Sequence, residues 1–362
     1  MAILDGNQPQ GASVSEFNTI FGRGLIPELA MIASGPIAIV SMPDLAHLYQ
    51  SVPGLGPENV VEIEAKLERD HLEHLVDENK HVGTFIGIGG GQAIDTAKYL
   101  AWRLNKPLFQ VPTALSVNAP WGHRAAVRTD GIVSYVGWKI PEAIFVDFDV
   151  IRSAPALLSR SGAADVLCYH TALWDWRHAS DTGKVEAQWP FDERLASASK
   201  KAYERIVDNV DAIHDLTDDG IRALVASLSY GGTAFADAGW NPRPIEGADH
   251  FLFYALEYVT SRSYLHGQAV GLGILVASAL QNNEPERIRD IMDRLGVPYR
   301  PADMGITWED VFRAFAAVPE VIERTGLWYT VLSSHPITPS FASAARDWIE
   351  SAPGTTWSGP HA

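Results

Sequence analysis

The sequence predicts an α/β domain followed by an all-α domain, and three observations predict it. Short β-branched runs alternate with helical segments over the first half of the chain. A glycine triplet, Gly89-Gly90-Gly91, marks a bare junction between a strand and a helix. After Ser153-Ala154-Pro155, long Ala/Leu-rich segments with helical periodicity take over. The boundary is set at Pro155, giving an α/β domain over 1–155 and a helical bundle over 156–362.

In the first domain, residues 37–41, 60–63 and 84–88 read as short buried strands. The helix between the last two carries Leu67, Leu72, Leu75 and Val76 at helical spacing. Further strands are expected at 108–111 and 143–146, each after a segment long enough for a crossover, so the sheet should be mostly parallel with both faces covered. In the second domain, helices are expected near 163–179, 196–213, 221–237 and 269–280. The polar insert 181–192 and the proline-bearing 239–244 read as loops, and the tail 353–362 reads as frayed.

Composition narrows the function. A chain of 362 residues with 46% hydrophobic content can bury large cores, and its 28 basic against 44 acidic residues give a net charge of −16. That balance argues against nucleic acid or an anionic membrane as partner and leaves a small molecule as the expected one. A single cysteine, Cys168, excludes an intrachain disulfide. Residues 1–10 lack a basic stretch followed by an apolar core, and no apolar run approaches the length of a membrane span. A cytoplasmic protein is therefore expected.

At the glycine triplet, an apolar strand meets a helix with no side chains at the junction. Backbone without Cβ atoms lets a pyrophosphate approach the amides of the helix N-terminus, where the helix dipole favours an anion. The spacing differs from G-x-G-x-x-G, and a tight turn is the plain alternative. Asp95 and Lys98, one turn apart, are expected to pair on the helix surface. The following strand and loop, 111–120, put Thr113 and Ser116 at the sheet edge where ligands bind in such folds. Past the first strand, Asp44 could bond ribose hydroxyls and favour NAD.

Three residues of the second half each have a setting suited to a metal ligand. Asp165 follows Gly162-Ala163-Ala164 at the expected start of a helix that carries Tyr169, Ala172 and Trp176 on one face. His250 and His266 each open an apolar helix. One straight helix would hold these histidines about 24 Å apart, so the chain must turn back between them, with 260–265 running extended. Two neutral imidazoles and one carboxylate suit Zn²⁺ with a position left for a substrate oxygen, and iron or nickel is compatible.

Five runs together resemble one family. They are Gly87-Ile88-Gly89-Gly90-Gly91-Gln92-Ala93-Ile94-Asp95-Thr96-Ala97-Lys98, Val111-Pro112-Thr113, Ser161-Gly162-Ala163-Ala164-Asp165 with Tyr169 to Trp176, Arg243-Pro244-Ile245-Glu246-Gly247-Ala248-Asp249-His250, and His266-Gly267-Gln268-Ala269-Val270-Gly271. In order, they resemble the glycerol-1-phosphate dehydrogenase-like branch of the iron-containing alcohol dehydrogenase and dehydroquinate synthase superfamily. The resemblance covers roughly residues 21–280. It implies a Rossmann-like NAD(P)-binding domain, a helical metal-binding domain of the dehydroquinate synthase-like fold, an active site in the cleft between them, and a homodimer or larger homo-oligomer. It further implies that Asp165, His250 and His266 bind the metal, that Gly89, Gly90 and Gly91 hold the pyrophosphate, and that Asp95, Lys98, Thr113 and Ser116 fall near the cofactor.

Two departures bear on the chemistry. Asn118 stands where the family has an aspartate, and an amide cannot exchange a proton. Tyr254 stands where the family tends to place a second histidine, which weakens the case for a phosphorylated triol. His123, with Arg124 and Arg128, could supply alternative acid-base or anion-binding groups, or could be surface charge. The expected activity is NAD(P)- and metal-dependent interconversion of a small polyol or hydroxyalkyl compound, phosphorylated as in glycerol-1-phosphate or not, with its ketone or aldehyde, the proton coming from water, His123 or Tyr254. The alternatives are a sugar-phosphate cyclase of the dehydroquinate synthase type, which regenerates its cofactor within each turnover, and a degenerate member that binds nucleotide without turnover.

Overall fold

Alternate side chains of the central strands feed two separate cores. Ala38, Val40 and Phe85 pack with Leu72, Leu75, Val76 and Leu100 on one side, while Ile37, Ile39, Ile86 and Ile88 pack with Leu29, Tyr49, Leu55 and Val150 on the other. This period of two is what a strand buried on both faces requires. The computed structural model describes residues 17–129, 132–237 and 239–360. Its strands are β1 (Thr19–Gly22), β2 (Ile37–Ser41), β3 (Val60–Glu64), β4 (Thr84–Gly89), β5 (Leu108–Pro112), β6 (Ala125–Thr129), β7 (Ile132–Val136) and β8 (Ala143–Asp147).

Six of these form one sheet in the order β1, β8, β5, β4, β2, β3, every neighbouring pair parallel. From β2 the chain leaves toward β3, and from β4 toward β5, so the direction of winding reverses between β2 and β4. A crevice opens at such a point beyond the carboxyl ends of the strands. The expected parallel α/β sheet is therefore present. β1 and the antiparallel hairpin of β6 and β7 were not legible in the sequence pattern, β1 because its four residues are only partly buried.

The chain divides into two compact units, the described residues up to Pro155 and those from Ala156 onward. In the second unit, the helix His266–Gln281 is buried along nearly its whole length and packs against Ala156–Val166, Cys168–Asp181 and Ala248–Thr260. Apolar character all round suits such a central position. Two expectations are corrected here. The helix expected near 163–179 is two helices broken at Leu167, and Asp165 is the last residue but one of the first, not the start of the second. The Leu167 amide bonds to the carbonyl of Ala164, an i to i+3 contact that tightens and ends the turn. The helix expected near 196–213 is likewise two, Glu193–Asp208 and Val210–His214, broken at Asn209.

The tail is also anchored where fraying was expected. Trp357 is buried against Phe341 and Trp348, and its amide donates to Glu286 Oε1 at 2.8 Å. Residues 1–10, read above for a leader, and 361–362 lie outside the described residues. Among the described residues no helix is long and apolar enough to cross a membrane.

Candidate metal centre and dinucleotide turn

In the helical unit, the helices bearing Asp165, His250 and His266 approach closely because glycine leaves them room. A Cβ on Gly267 would stand 1.8 Å from the Ser161 carbonyl oxygen, and one on Gly273 would stand 2.3 Å from that of Asp249. The helix Ala248–Thr260 ends at Ser261 in the left-handed region, and five residues later His266 opens the next helix. The return lets both imidazoles meet one carboxylate.

His266 Nε2 lies 3.2 Å and His250 Nε2 3.7 Å from Asp165 Oδ1, and one ligand atom from each of the three residues lies within 4.8 Å of the others. Those spacings suit a tetrahedral ion, whose bonds of ~2.1 Å place ligand atoms about 3.4 Å apart. Asp165 Oδ1 is buried and has no hydrogen-bond partner among the described residues, despite the 3.2 Å approach of His266. A buried carboxylate oxygen without a donor is costly unless a cation meets it. The donor set therefore fits a divalent metal. Exposure rises from 5% at the His250 side chain through 16% at Asp165 to 29% at His266, so the cluster opens on the His266 side.

A hydrogen-bond chain orients His250. Thr171 Oγ1 donates to Asp249 Oδ2 at 2.6 Å, and His250 Nδ1 meets Asp249 Oδ1 at 2.6 Å, which leaves Nε2 for a metal. Burial would depress the His250 imidazole, but the Asp249 hydrogen bond and the charges of Glu246, Asp249 and Asp165 raise it to about 9. Burial would likewise raise Asp165, and the facing His266 and His250 instead hold it low. Cys168, Asp249 and His250 form a second close group. Its chemistry is already committed: Cys168 Sγ donates to the Ile245 carbonyl at 2.9 Å, burial pushes the thiol well up, and Asp249 is held by Thr171 and His250.

Sequence reasoning missed Glu246, Asp249, Thr171 and Asp175. Tyr254 OH donates to Glu246 Oε2 at 3.2 Å, and burial raises the Glu246 carboxyl despite His250 and His266. Asp175 accepts from the amides of Ala248 and Val331, both at 2.8 Å, and so fixes the start of the His250 helix; burial lifts its carboxyl to about 7. Asp249 had a signal, being adjacent to His250. Thr171 and Asp175 had none, because their partners lie more than 70 positions away.

In the α/β unit, Gly89, Gly90 and Gly91 end β4 and open the helix Gly91–Arg103 beside the β2–β4 crevice. Gly89 has φ +154°, and a Cβ there would meet Ala93 at 2.7 Å. Gly90 caps the helix without a side-chain bond, and among the described residues nothing lies within 4 Å of where its Cβ would be. Thr113 is buried, its amide bonding to the Gly89 carbonyl at 3.0 Å, and Ser116 is half-buried in the adjacent loop. Asp44 is exposed just past β2.

Asp95 and Lys98 pair at 2.9 Å as expected, but in the interior and not on the helix surface. Lys98 also donates to the carbonyls of Ala119 at 2.7 Å and Arg124 at 3.0 Å, which uses all three ammonium protons. Burial raises the Asp95 carboxyl against the pull of Lys98. Asn118 is half-buried at the start of a short turn, its carbonyl bonded to the Trp121 amide. His123 is not a surface group: it is 2% exposed, stacked on Trp138 at 4.2 Å and edge-on to Phe17, and neither ring nitrogen has a partner among the described residues. Burial, then the Lys98 charge, pushes its imidazole down to about 4. Arg124 is buried as well, and Arg128 lies on β6.

Comparison with known proteins agrees with this architecture. The family model for iron-containing alcohol dehydrogenases matches residues 44–155. The glycerol-1-phosphate dehydrogenase [NAD(P)+] of Methanococcoides burtonii is 30% identical over 340 residues, 90% of this chain and 92% of that protein. The chain belongs to the iron-containing alcohol dehydrogenase family, in its glycerol-1-phosphate dehydrogenase-like branch, and is an oxidoreductase. The Thermoplasma volcanium protein of the same name is 31% identical over 257 residues, 69% of this chain and 72% of its own. Among solved structures, a probable glycerol dehydrogenase from Sinorhizobium meliloti matches with TM-score 0.67 and 23% identity over 92% of this chain and 95% of that one. The fold is shared with it.

Proposed function

We propose that the chain is an NAD(P)-dependent, metal-dependent dehydrogenase that interconverts a small polyol or hydroxyalkyl compound with its ketone or aldehyde. The observation that carries this reading is the convergence of Asp165, His250 and His266 around a buried carboxylate oxygen that has no hydrogen-bond partner among the described residues. Those three residues would hold one divalent ion, zinc by their ligand chemistry, and the ion would supply Lewis acidity at the substrate oxygen. Asp249 and Thr171 keep the His250 Nε2 lone pair directed at it.

The remaining roles follow from the local chemistry. Amides at Gly90 and Gly91 bind the dinucleotide pyrophosphate, and Thr113 and Ser116 contact the cofactor. Asp95 and Lys98 act one step back, by fixing the 119–126 segment. Asn118 orients and does not exchange a proton. His123 is enclosed and its ring nitrogens have no partner among the described residues, so Tyr254, whose ring centre is 6.0 Å from that of His250, is the better proton-handling group. A cytoplasmic, homo-oligomeric enzyme completes the proposal; the single buried Cys168 supports the location.

The test is oxidation by the zinc-loaded protein of a panel that includes glycerol and glycerol-1-phosphate, with NAD or NADP. Stoichiometric formation of reduced nicotinamide, abolished by chelation and restored by metal, is expected. Cofactor binding without net reduction on any member would contradict the reading and favour a cyclase or an inactive relative.

A further inference from the structure

We infer that Asp175 is a positioning residue of the metal centre: its carboxylate ties the first turn of the His250 helix to residues 329–331 and so holds His250 where it shares an ion with Asp165. The inference rests on the metal-holding trio of the proposed dehydrogenase reading and adds what keeps that trio in place.

The first amides of a helix need acceptors from outside it. The His250 helix has no side-chain cap of its own, because its cap residue is Gly247. Asp175 supplies the acceptor from another helix, Oδ2 taking the Ala248 amide at 2.8 Å, where a carboxylate also suits the helix dipole. Gly247 leaves room for it. A Cβ there would stand 2.7 Å from that oxygen and 3.0 Å from Ala172 Cα. The other oxygen, Oδ1, takes the amide of Val331, the first residue of the short helix Val331–Ser334, at 2.8 Å. Asp175 is 1% exposed, so little water competes for either bond.

The neighbours of Asp175 grip the same stretch. Cys168, Thr171 and Asp175 follow one another at helical spacing along the helix Cys168–Asp181, and they meet the Ile245 carbonyl, the Asp249 carboxylate and the Ala248 amide. That helix begins just after Asp165, so one element links the first ligand to the second. Residues 329–331 are a firm anchor for it: Arg243 Nη1 donates to the Tyr329 carbonyl at 2.5 Å, and the Tyr329 amide donates to Glu186 Oε1 at 3.1 Å.

The experiment compares wild type with Asp175→Asn, which keeps the size and one acceptor but turns an NH2 group toward the second amide. It is run at pH 8, above the value of about 7 to which burial lifts this carboxyl. Cobalt(II) replaces zinc, because its visible d–d bands report ligand geometry. Asp175→Asn should bind cobalt about tenfold more weakly in chelator competition and show altered bands. Asp192→Ala removes a cap that accepts from the Arg194 and Leu195 amides of a helix carrying no ligand, and it should lower the melting temperature while leaving cobalt affinity and bands unchanged. Hydrogen exchange on wild type needs no variant and decides alone if Asp175→Asn does not fold: zinc should slow exchange in the peptides containing Ala248 and Val331 together. Unchanged cobalt affinity and bands in Asp175→Asn, equal changes in Asp192→Ala, or zinc protection of Ala248 that leaves Val331 unaffected overturns the inference. Failure of the underlying reading looks different: wild type then holds no cobalt that His266→Ala removes.

Discussion

At the scale of single residues, the account turns on which polar atoms have partners. Among the described residues Asp165 Oδ1 lacks one, while Asp249 is engaged by Thr171 and His250. Replacing His266 by Ala should abolish tight zinc binding and turnover together. Asp249→Asn should leave all three ligands in place but weaken zinc about 10- to 100-fold in chelator competition, since it removes the negative charge of the acceptor that orients His250. Unchanged affinity in Asp249→Asn would mean that His250 needs no such support. The juxtaposition of Asp165, His250 and His266 was legible through the motif runs that carry them, although the helix-start reading of Asp165 was not borne out. Glu246 and Thr171 were not, because their importance comes from what the fold brings beside them.

At the scale of elements, glycines set the distances. Gly267→Ala would drive a methyl group into the Ser161 carbonyl, 1.8 Å from its Cβ, and push the helices of His266 and Asp165 apart. The expected outcome is a loss of zinc affinity alongside a lower melting temperature. In the α/β unit, two neighbours should behave differently. Gly90→Ala has open space and ordinary backbone angles, so the protein should fold with normal stability while calorimetry shows weaker NAD(P) binding. Gly91→Ala meets Val117 at 2.8 Å and should lose stability as well. Equal dinucleotide affinity in Gly90→Ala and wild type would remove the pyrophosphate from this turn. The sequence marked the turn through its missing side chains. It could not mark the break at Leu167, because helix-forming residues continue on both sides.

At the scale of the whole molecule, the two architectures were announced by different patterns, short apolar β-branched runs between helical segments in the first half and long Ala/Leu-rich segments of helical period in the second. The interior polar groups were hidden, and one of them sets a pH limit. The unfolded chain protonates His123 near its ordinary 6.5, whereas burial holds the folded chain's His123 down to about 4, so the contribution of neutral His123 to stability is fully present above about pH 6.5 and is lost as pH falls toward 4. Moving the proton affinity that far is worth about 3 kcal/mol. Urea titrations across this window should show His123→Phe, which keeps a ring between Phe17 and Trp138, losing less stability toward pH 4 than wild type.

The metal itself gives the most direct test of the account. Crystals of the zinc-loaded protein, with anomalous data collected on either side of the zinc absorption edge, should give one strong peak bonded to Asp165, His250 Nε2 and His266 Nε2. A peak at Cys168 and Asp249 instead, or zinc bound elsewhere with this trio left bare, would contradict it.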